Sequence, residues 1–151
     1  MADHLATITW DRGDQVFTDN KYSRVHTWTF DGGVTVPGSP SPAVVPVPLS
    51  QEDAVDPEEA FVAAIASCHM LWFLDLARRA GHTVDRYQDA AVGHMARQDA
   101  GIFWIDKVDL NPKISFSGNV PTAEQIHALH EEAHRLCFIA NSVKSEIVVN
   151  E

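Results

Sequence analysis

The amino-acid sequence predicts an α+β fold, in which strands, a long helix, more strands, a second helix and a final strand follow one another. Two helix-start signals, at Asp56 and at Thr122, each precede a run with helical apolar spacing. Segments before, between and after these runs alternate in the manner of strands. Since the strands are grouped and do not alternate singly with helices, we expect antiparallel sheets. We expect one domain covering residues 1–151, long enough for a proper core.

The N-terminal third predicts a pair of strands joined by a tight turn. Leu5–Trp10 alternates apolar and polar residues, as a half-buried strand does. Arg24–Phe30 alternates again, and Asp31-Gly32-Gly33 is a strong hairpin signal that leads into Val34–Val36. Pro37–Pro48 contains five prolines, which exclude a central strand or a helix. We expect an ordered surface loop there, either a plain connector or the wall of a pocket or interface.

The first helix has clear signals at both ends. Asp56 suits the N-cap, Pro57 suits the first helical position, and two glutamates follow at the positive end of the helix dipole. We expect the helix to end near Arg79, with Gly81 as the left-handed exit. Its residues are apolar nearly all round, which predicts a central helix covered on several sides. The uncharged stretch 60–74 is 15 residues long, short of the roughly 20 that a membrane span needs.

The C-terminal half predicts two strands, a helix and a last strand. The strands are Val84–Arg97 and Trp104–Ser117, joined by a turn at Asp99-Ala100-Gly101. The second helix begins at Thr122 with a capping box, and Glu146–Val149 is expected to be a short strand. The apolar stripe of this helix comprises Ile126, Leu129, Ala133, Leu136 and Cys137.

The charge of the chain excludes two classes of partner. Its formal net charge is −10, and its longest basic cluster is Arg78-Arg79. Nucleic acids and anionic membranes both require a basic surface, so we expect neither as the main partner. The N-terminus has no cationic segment followed by an apolar run, so we expect no secretory signal and a cytoplasmic location.

The two cysteines, Cys68 and Cys137, lie late on the apolar faces of the two predicted helices. Cysteine pairs in reducing compartments are redox-active, metal-binding, or buried as small hydrophobic residues, and the sequence leaves these three alternatives open. A redox role requires a thiolate, an arginine that lowers its pKa, and an acid that holds the arginine. It also requires the second thiol within reach of the resulting sulfenic acid.

The eight histidines do not predict a metal site. His69 follows Cys68 directly, and adjacent helical residues point about 100° apart, so the two cannot easily bind one ion. His130 and His134 lie four residues apart, but two ligands do not complete a zinc site, and we expect them to be solvated or partly buried. No glycine-rich phosphate loop is present. We therefore expect no bound metal and no bound cofactor.

Three segments of the chain resemble the OsmC/Ohr family, in the right order and spacing. Together they extend over almost the whole sequence. The first is similar to the N-terminal hairpin of one OsmC-like branch, the second to the central helix with its reactive cysteine, and the third to the segment of the second cysteine. They are Tyr22–Gly33, Asp56–His69 and Ala133–Ser142.

The resemblance implies an intertwined homodimer, in which strands from both chains wrap two long central helices. It also implies a Cys-based organic hydroperoxide reductase. Cys68 would be the peroxidatic thiol and Cys137 the resolving one, with Glu58 as the motif acid and Arg24 as the activating arginine. The substrate would be a small organic hydroperoxide, and the reductant an external dithiol, of the lipoyl type in Ohr relatives. The chain departs from the family pattern in placing Arg24 within Tyr-Ser-Arg-x-His, and in carrying Phe138 where many relatives have proline.

Helix geometry adds one expectation about the dimer. Glu58 and Cys68 are ten residues apart, which is roughly 15 Å along one helix. If Glu58 serves the site, we expect it to do so from the partner's helix. Two rival functions stay open. One is a thiol hydrolase or acyl-transfer enzyme that uses Cys68 with His69 or His26 as its base, and the other is a protein that binds an apolar ligand or a metal without peroxidase activity.

Overall fold

Strands, a long helix, further strands, a second helix and a final strand follow one another in the predicted order. The structure is a computed structural model and describes residues 2–151. It divides into two compact units, of which the first ends at Ala60 and the second runs from Phe61 to Glu151. Each unit is built mainly on antiparallel pairing, so the α+β class is confirmed.

The first unit contains one antiparallel sheet with the strand order β1-β2-β3. Its strands are β1 (Ala6–Thr9), β2 (His26–Phe30) and β3 (Thr35–Gly38). The predicted hairpin between β2 and β3 is confirmed, with Gly33 at φ 84°, a conformation that favours glycine. All four residues of β1 are exposed, so the expectation of a half-buried strand there is wrong for the single chain.

The proline-rich segment begins inside strand β3, which corrects the prediction of a loop from Pro37 onward. Pro37 pairs with Thr27 in the β2–β3 register. Since β3 is an edge strand of its sheet, a residue without an N–H is tolerated there. The carbonyl of Pro37 accepts a hydrogen bond of 3.0 Å from the Val55 N–H, which ties the end of the loop back to the sheet.

Gly38 lies directly beneath a hydrogen-bonded pair of side chains from the neighbouring strand. It pairs with His26 in the register, and the Trp28 Nε1–H donates to His26 Nε2 at 2.7 Å. A Cβ on Gly38 would lie 2.4 Å from Trp28 Nε1 and 2.6 Å from His26 Nε2. Only glycine lets the two rings cover the strand at this position.

We therefore expect Gly38→Ala to lower the free energy of unfolding by about 1–3 kcal/mol, because both rings must move and their hydrogen bond is strained. Urea unfolding followed by tryptophan fluorescence measures the loss. Gly32→Ala is the matched control, since a Cβ there meets no atom within 4 Å. Equal stability of the two variants would contradict the packing described for Gly38.

Helix α1 (Pro57–Arg79) begins and ends where the sequence predicts. The Asp56 carboxylate accepts from the Glu59 N–H at 2.7 Å, and the Glu59 carboxylate accepts from the Asp56 N–H at 3.2 Å, which forms a capping box. At the other end Gly81 adopts φ 80°. The predicted N-cap, first helical position and exit are all confirmed.

Only one face of α1 is buried in the single chain. The buried residues are spaced by four, at Ile65, His69, Phe73 and Ala77, whereas Leu71 is 60% exposed. The expectation of a helix covered on several sides is therefore wrong for the single chain. By length and composition α1 is the one described helix that could cross a membrane, a test that core helices also pass.

The second unit contains two sheets, and four strands stand where two are predicted. Strand β4 (Thr83–Asp89) pairs with β7 (Pro112–Ser117), and β5 (Val92–Arg97) pairs with β6 (Phe103–Leu110), both antiparallel. The C-terminal strand β8 (Glu146–Val149), which is confirmed, pairs with β6 in parallel. It is the one parallel ladder among the described strands.

The long hairpin is interrupted where side chains of the two strands form hydrogen bonds with the backbone opposite. The Asp89 carboxylate accepts from the Asn111 N–H at 2.7 Å, and the Asn111 side-chain amide donates to the Ala90 carbonyl at 2.9 Å. Pro112 follows at once and has no N–H for a ladder. The ladder is interrupted here, and the hairpin continues as a second sheet.

Helix α2 (Ala123–Leu136) has the predicted capping box between Thr122 and Gln125. Two apolar clusters form the core of the second unit. One is built on Ile65 with Val108 and Leu110 from β6, and the other on Phe73 and Ala77 with Ala133 from α2. Both clusters use the buried stripe of α1, so this stripe fixes how the rest of the unit packs around the cysteine segment of the helix.

Candidate thiol site

The structure brings the two cysteines together. Cys68 is half-buried in the middle of α1, which corrects the expectation that it lies late in the helix. Cys137 is fully buried as the C-cap of α2. The thiol of Cys68 lies close enough to that of Cys137 to raise its pKa, and both cysteines are free thiols. The expected proximity of the pair is therefore present within one chain.

The thiol of Cys137 is held in its protonated form. Burial, and after it the neighbouring Cys68 thiol, raise the pKa of Cys137 from 9.0 to about 11. The backbone N–H of Ala140 donates to the Cys137 Sγ at 3.3 Å, and this contact opposes the shift. At neutral pH Cys137 is thus a neutral, poorly nucleophilic thiol.

The segment around Cys137 is fixed by local hydrogen bonds that end α2 in one conformation. The Cys137 N–H donates to the Ala133 carbonyl at 2.9 Å. The Cys137 carbonyl accepts from the Asn141 backbone N–H at 3.0 Å and from its side-chain amide at 2.9 Å. Phe138 is 70% exposed, with its ring at 5.6 Å edge-on to Trp72. Phenylalanine therefore gives this position an aromatic contact with α1.

Two histidines, one from each of the helices that carry the cysteines, form a buried pair. His69 Nε2 and His130 Nδ1 are 2.9 Å apart, and the rings stack with centroids at 5.3 Å and an interplanar angle of 9°. His69 is 1% exposed and His130 is 2% exposed. The expectation that His130 is solvated or partly buried is therefore wrong, whereas His134 is exposed as expected.

Both rings of this pair are neutral at neutral pH. Burial, and after it the neighbouring His130, lower the pKa of His69 from 6.5 to about 4. Burial also lowers the pKa of His130. The hydrogen bond between the rings therefore holds one shared proton, with one ring donating and the other accepting.

The sequence around His130 has the spacing of a zinc-binding motif, but the structure does not form a metal site there. Residues 130–134 read His-Glu-Glu-Ala-His, the H-E-x-x-H spacing of zinc peptidases. In the structure His130 faces His69 in the interior while His134 is exposed, so the two do not converge on one ion. Within residues 2–151 no group of three or more histidine, cysteine or acidic side chains could hold a metal.

Arg24 and Glu58 belong to the unit that ends at Ala60, whereas both thiols belong to the other unit. The Arg24 guanidinium donates to the Tyr22 carbonyl at 2.5 Å and to the Asn20 side-chain oxygen at 2.5 Å. It also lies 4.1 Å from the centroid of the Tyr22 ring, a cation–π contact. Glu58 is half-buried in the first turn of α1. Their roles toward Cys68 stay predictions.

The fold and the site together define a class: an α+β protein with a half-buried thiol against a buried, protonated one. A family profile described as OsmC-like protein matches residues 50–151. The chain therefore belongs to the OsmC family, and the resemblance found in its sequence is confirmed. No curated protein matches the chain.

Solved structures of OsmC and Ohr proteins share this fold. An OsmC-like protein of unknown function from Vibrio cholerae is 51% identical, with 99% of each chain covered and a TM-score of 0.96. An organic hydroperoxide resistance protein from Elizabethkingia anophelis, with crystallant-derived thiocyanate bound, is 20% identical over 99% of this chain and 93% of that one, with a TM-score of 0.73. The organic hydroperoxide resistance protein OhrB of Bacillus subtilis is 17% identical over 99% and 96%, with a TM-score of 0.65. The last two show the fold alone.

Proposed function

We propose that the protein is a thiol-dependent peroxidase that reduces organic hydroperoxides to alcohols in the cytoplasm. The observation that carries the proposal is the side-chain contact between Cys68 and Cys137, the two free thiols of the chain. The names of the Elizabethkingia and Bacillus proteins of the same fold, both organic hydroperoxide resistance proteins, support the choice of substrate class.

The roles of the two cysteines follow from their surroundings. A peroxide must reach the attacking sulfur, and Cys68 is half-buried whereas Cys137 is fully buried. The attacking sulfur must also be a thiolate, and the raised pKa of Cys137 keeps that group protonated. We therefore assign Cys68 as the peroxidatic cysteine and Cys137 as the resolving one.

The proposed cycle has three steps. The Cys68 thiolate attacks the distal oxygen of the hydroperoxide, the O–O bond breaks, and the alkoxide leaves as the alcohol after taking up a proton, which leaves Cys68 as a sulfenic acid. The Cys137 thiol then attacks the Cys68 sulfur, an S–S bond forms, and the hydroxyl leaves with the thiol proton as water. An external dithiol, of the lipoyl type, reduces the disulfide by thiol–disulfide exchange and is itself oxidised.

Two further residues complete the proposal, with the homodimer that the resemblance implies. Arg24 would stabilise the Cys68 thiolate and Glu58 would hold the arginine from the partner's helix. The exposed apolar side of α1, where Leu71 is 60% exposed, supports a helix that a second copy covers.

The side chains near the thiols favour a hydroperoxide with an apolar group. Leu71, three residues after Cys68, and Phe138, next to Cys137, are 60% and 70% exposed, and Trp72 meets Phe138 edge-on at 5.6 Å. Each methylene that such a surface removes from water stabilises the complex by about 0.8 kcal/mol. Alkyl and aryl hydroperoxides should therefore be better substrates than hydrogen peroxide.

Intact mass after one equivalent of cumene hydroperoxide tests the proposal. We expect the reduced protein to lose two hydrogens, with Cys68 and Cys137 joined in the peptide map, because the contact between the thiols favours ring closure over further oxidation. Iodoacetamide-blocked protein is the control and should keep its mass. An unchanged mass with both thiols free would overturn the proposal and favour the rival protein that only binds an apolar ligand.

A further inference from the structure

We infer that the hydrogen bond between His69 and His130 is a positioning device, which holds helices α1 and α2 so that Cys137 can reach the oxidised sulfur of Cys68. The inference rests on the proposed function and adds two positioning residues to it. Neither histidine is assigned a part in the peroxide chemistry itself.

The geometry places this bond between the two helices that carry the thiols. His69 is the residue next to Cys68 on α1, and His130 is seven residues before Cys137, so it lies on the same face of α2. The ring of His130 also packs on Phe73, one turn further along α1, with the centroids 4.4 Å apart. The two helices are thus joined at a second point besides the thiol contact.

Because the histidine pair is buried, its hydrogen bond favours one position of helix α2 relative to α1. Both imidazoles are almost fully buried, and His69 Nδ1 already has no hydrogen-bond partner among the described residues. Any shift of α2 that broke the ring–ring bond would leave two more buried polar atoms without partners. Each such atom would lose its hydrogen bond without gaining one to water, so the pair disfavours other positions of α2.

The resolving step requires that Cys137 be held close to the sulfur of Cys68. Cys137 is a buried, protonated thiol, and it must meet a sulfenic sulfur before a second peroxide does. The thiol's weak nucleophilicity can be offset by holding it at contact distance, which raises its effective concentration. The histidine pair supplies a fixed distance between the helices without placing a charge beside the sulfurs.

The first experiment separates positioning from stability with a set of leucine variants. His69→Leu or His130→Leu leaves one buried imidazole unpaired, whereas the double variant removes both polar groups at similar volume and should recover much of the stability. In each variant the Cys68–Cys137 disulfide is equilibrated with a glutathione redox buffer. We expect the double variant to favour the dithiol about tenfold more than the unchanged protein, a difference of about 30 mV.

A conservative variant provides the rescue. The side-chain amide of His130→Asn places a hydrogen-bonding atom near the position of Nδ1, so it should keep the glutathione equilibrium within about threefold of the unchanged protein. His130→Leu should shift the glutathione equilibrium by more than this. This comparison uses single substitutions, so it decides the question even if the double leucine variant does not fold.

A second readout follows the fate of Cys68 during peroxide treatment. At increasing cumene hydroperoxide, the leucine variants should accumulate sulfinic acid on Cys68 at roughly a tenth of the peroxide concentration that the unchanged protein needs. A folded double variant with the unchanged equilibrium and the unchanged sulfinic threshold would overturn the inference. Failure of the peroxidase proposal is separate: it would show as no peroxide consumption by the unchanged protein, while the glutathione measurement still tests the pair.

Discussion

Replacing Cys68 with serine should lower the rate of cumene hydroperoxide consumption at least about a thousandfold, because the variant loses the attacking nucleophile itself. A serine hydroxyl is not ionised at neutral pH and cannot accept the distal oxygen as a sulfenic acid. Stopped-flow or ferrous-thiocyanate detection of residual peroxide measures the loss, with a dithiol such as dihydrolipoamide as the reductant.

Cys137→Ser should behave differently and thereby separates the two roles. This variant should consume about one equivalent of peroxide quickly, stall as the sulfenic acid, and then gain further oxygen on Cys68. Ser67→Ala is the control for a small change beside the nucleophile, since Ser67 is exposed on the same turn. Full peroxide consumption by Cys68→Ser would remove Cys68 from the proposed mechanism.

Acidification from pH 7 to pH 4 should cost the folded protein about 3 kcal/mol through His69 alone. Its pKa is 6.5 when unperturbed and about 4 in the folded chain, because burial and His130 disfavour the charged ring. Well above pH 6.5 neither state binds the proton, so the group contributes no pH dependence there. Between pH 6.5 and pH 4 the unfolded chain binds a proton that the folded chain does not bind, so the free energy of unfolding falls. The lowered pKa of His130 acts in the same direction.

Urea unfolding at pH 7, 6 and 5 measures this slope, and comparison with variants isolates its source. His69→Leu/His130→Leu should lose much of the slope, since it has no imidazole to protonate at either position. His4→Gln removes an exposed histidine and should leave the slope unchanged. A double leucine variant with the full slope would show that the acid sensitivity originates elsewhere.

Local signals in the sequence predict most of the fold because they act through the nearest backbone groups. Asp56 and Thr122 form the predicted capping boxes, and Asp31–Gly33 forms the predicted turn. The break at Asn111 escapes such reasoning, since the strand pattern runs through it and the interruption depends on a contact with Asp89. Sequence separation, 22 residues in this case, hides the partner.

The candidate site, like the fold, is predictable from the sequence only in part. The contact between Cys68 and Cys137 is anticipated from the family resemblance, and the structure brings the two together. The pairing of His69 with His130 is not anticipated, because each ring reads locally as one histidine among eight. Only the packing of α1 against α2 shows that two residues 61 positions apart share a proton.

The parallel pairing of β6 with β8 has a consequence for how the chain is synthesised. Strand β6 pairs with β5 on one side, but on its other side Lys107–Leu110 pairs with Glu146–Val149, which is added only after helix α2 and the Cys137 segment. Pairings between such distant segments form late, because the intervening chain must first be ordered. The edge of β6 therefore stays open on the ribosome until residues 146–149 emerge. During that interval the nascent chain presents an unpaired strand edge, and chaperone protection would matter most at that stage.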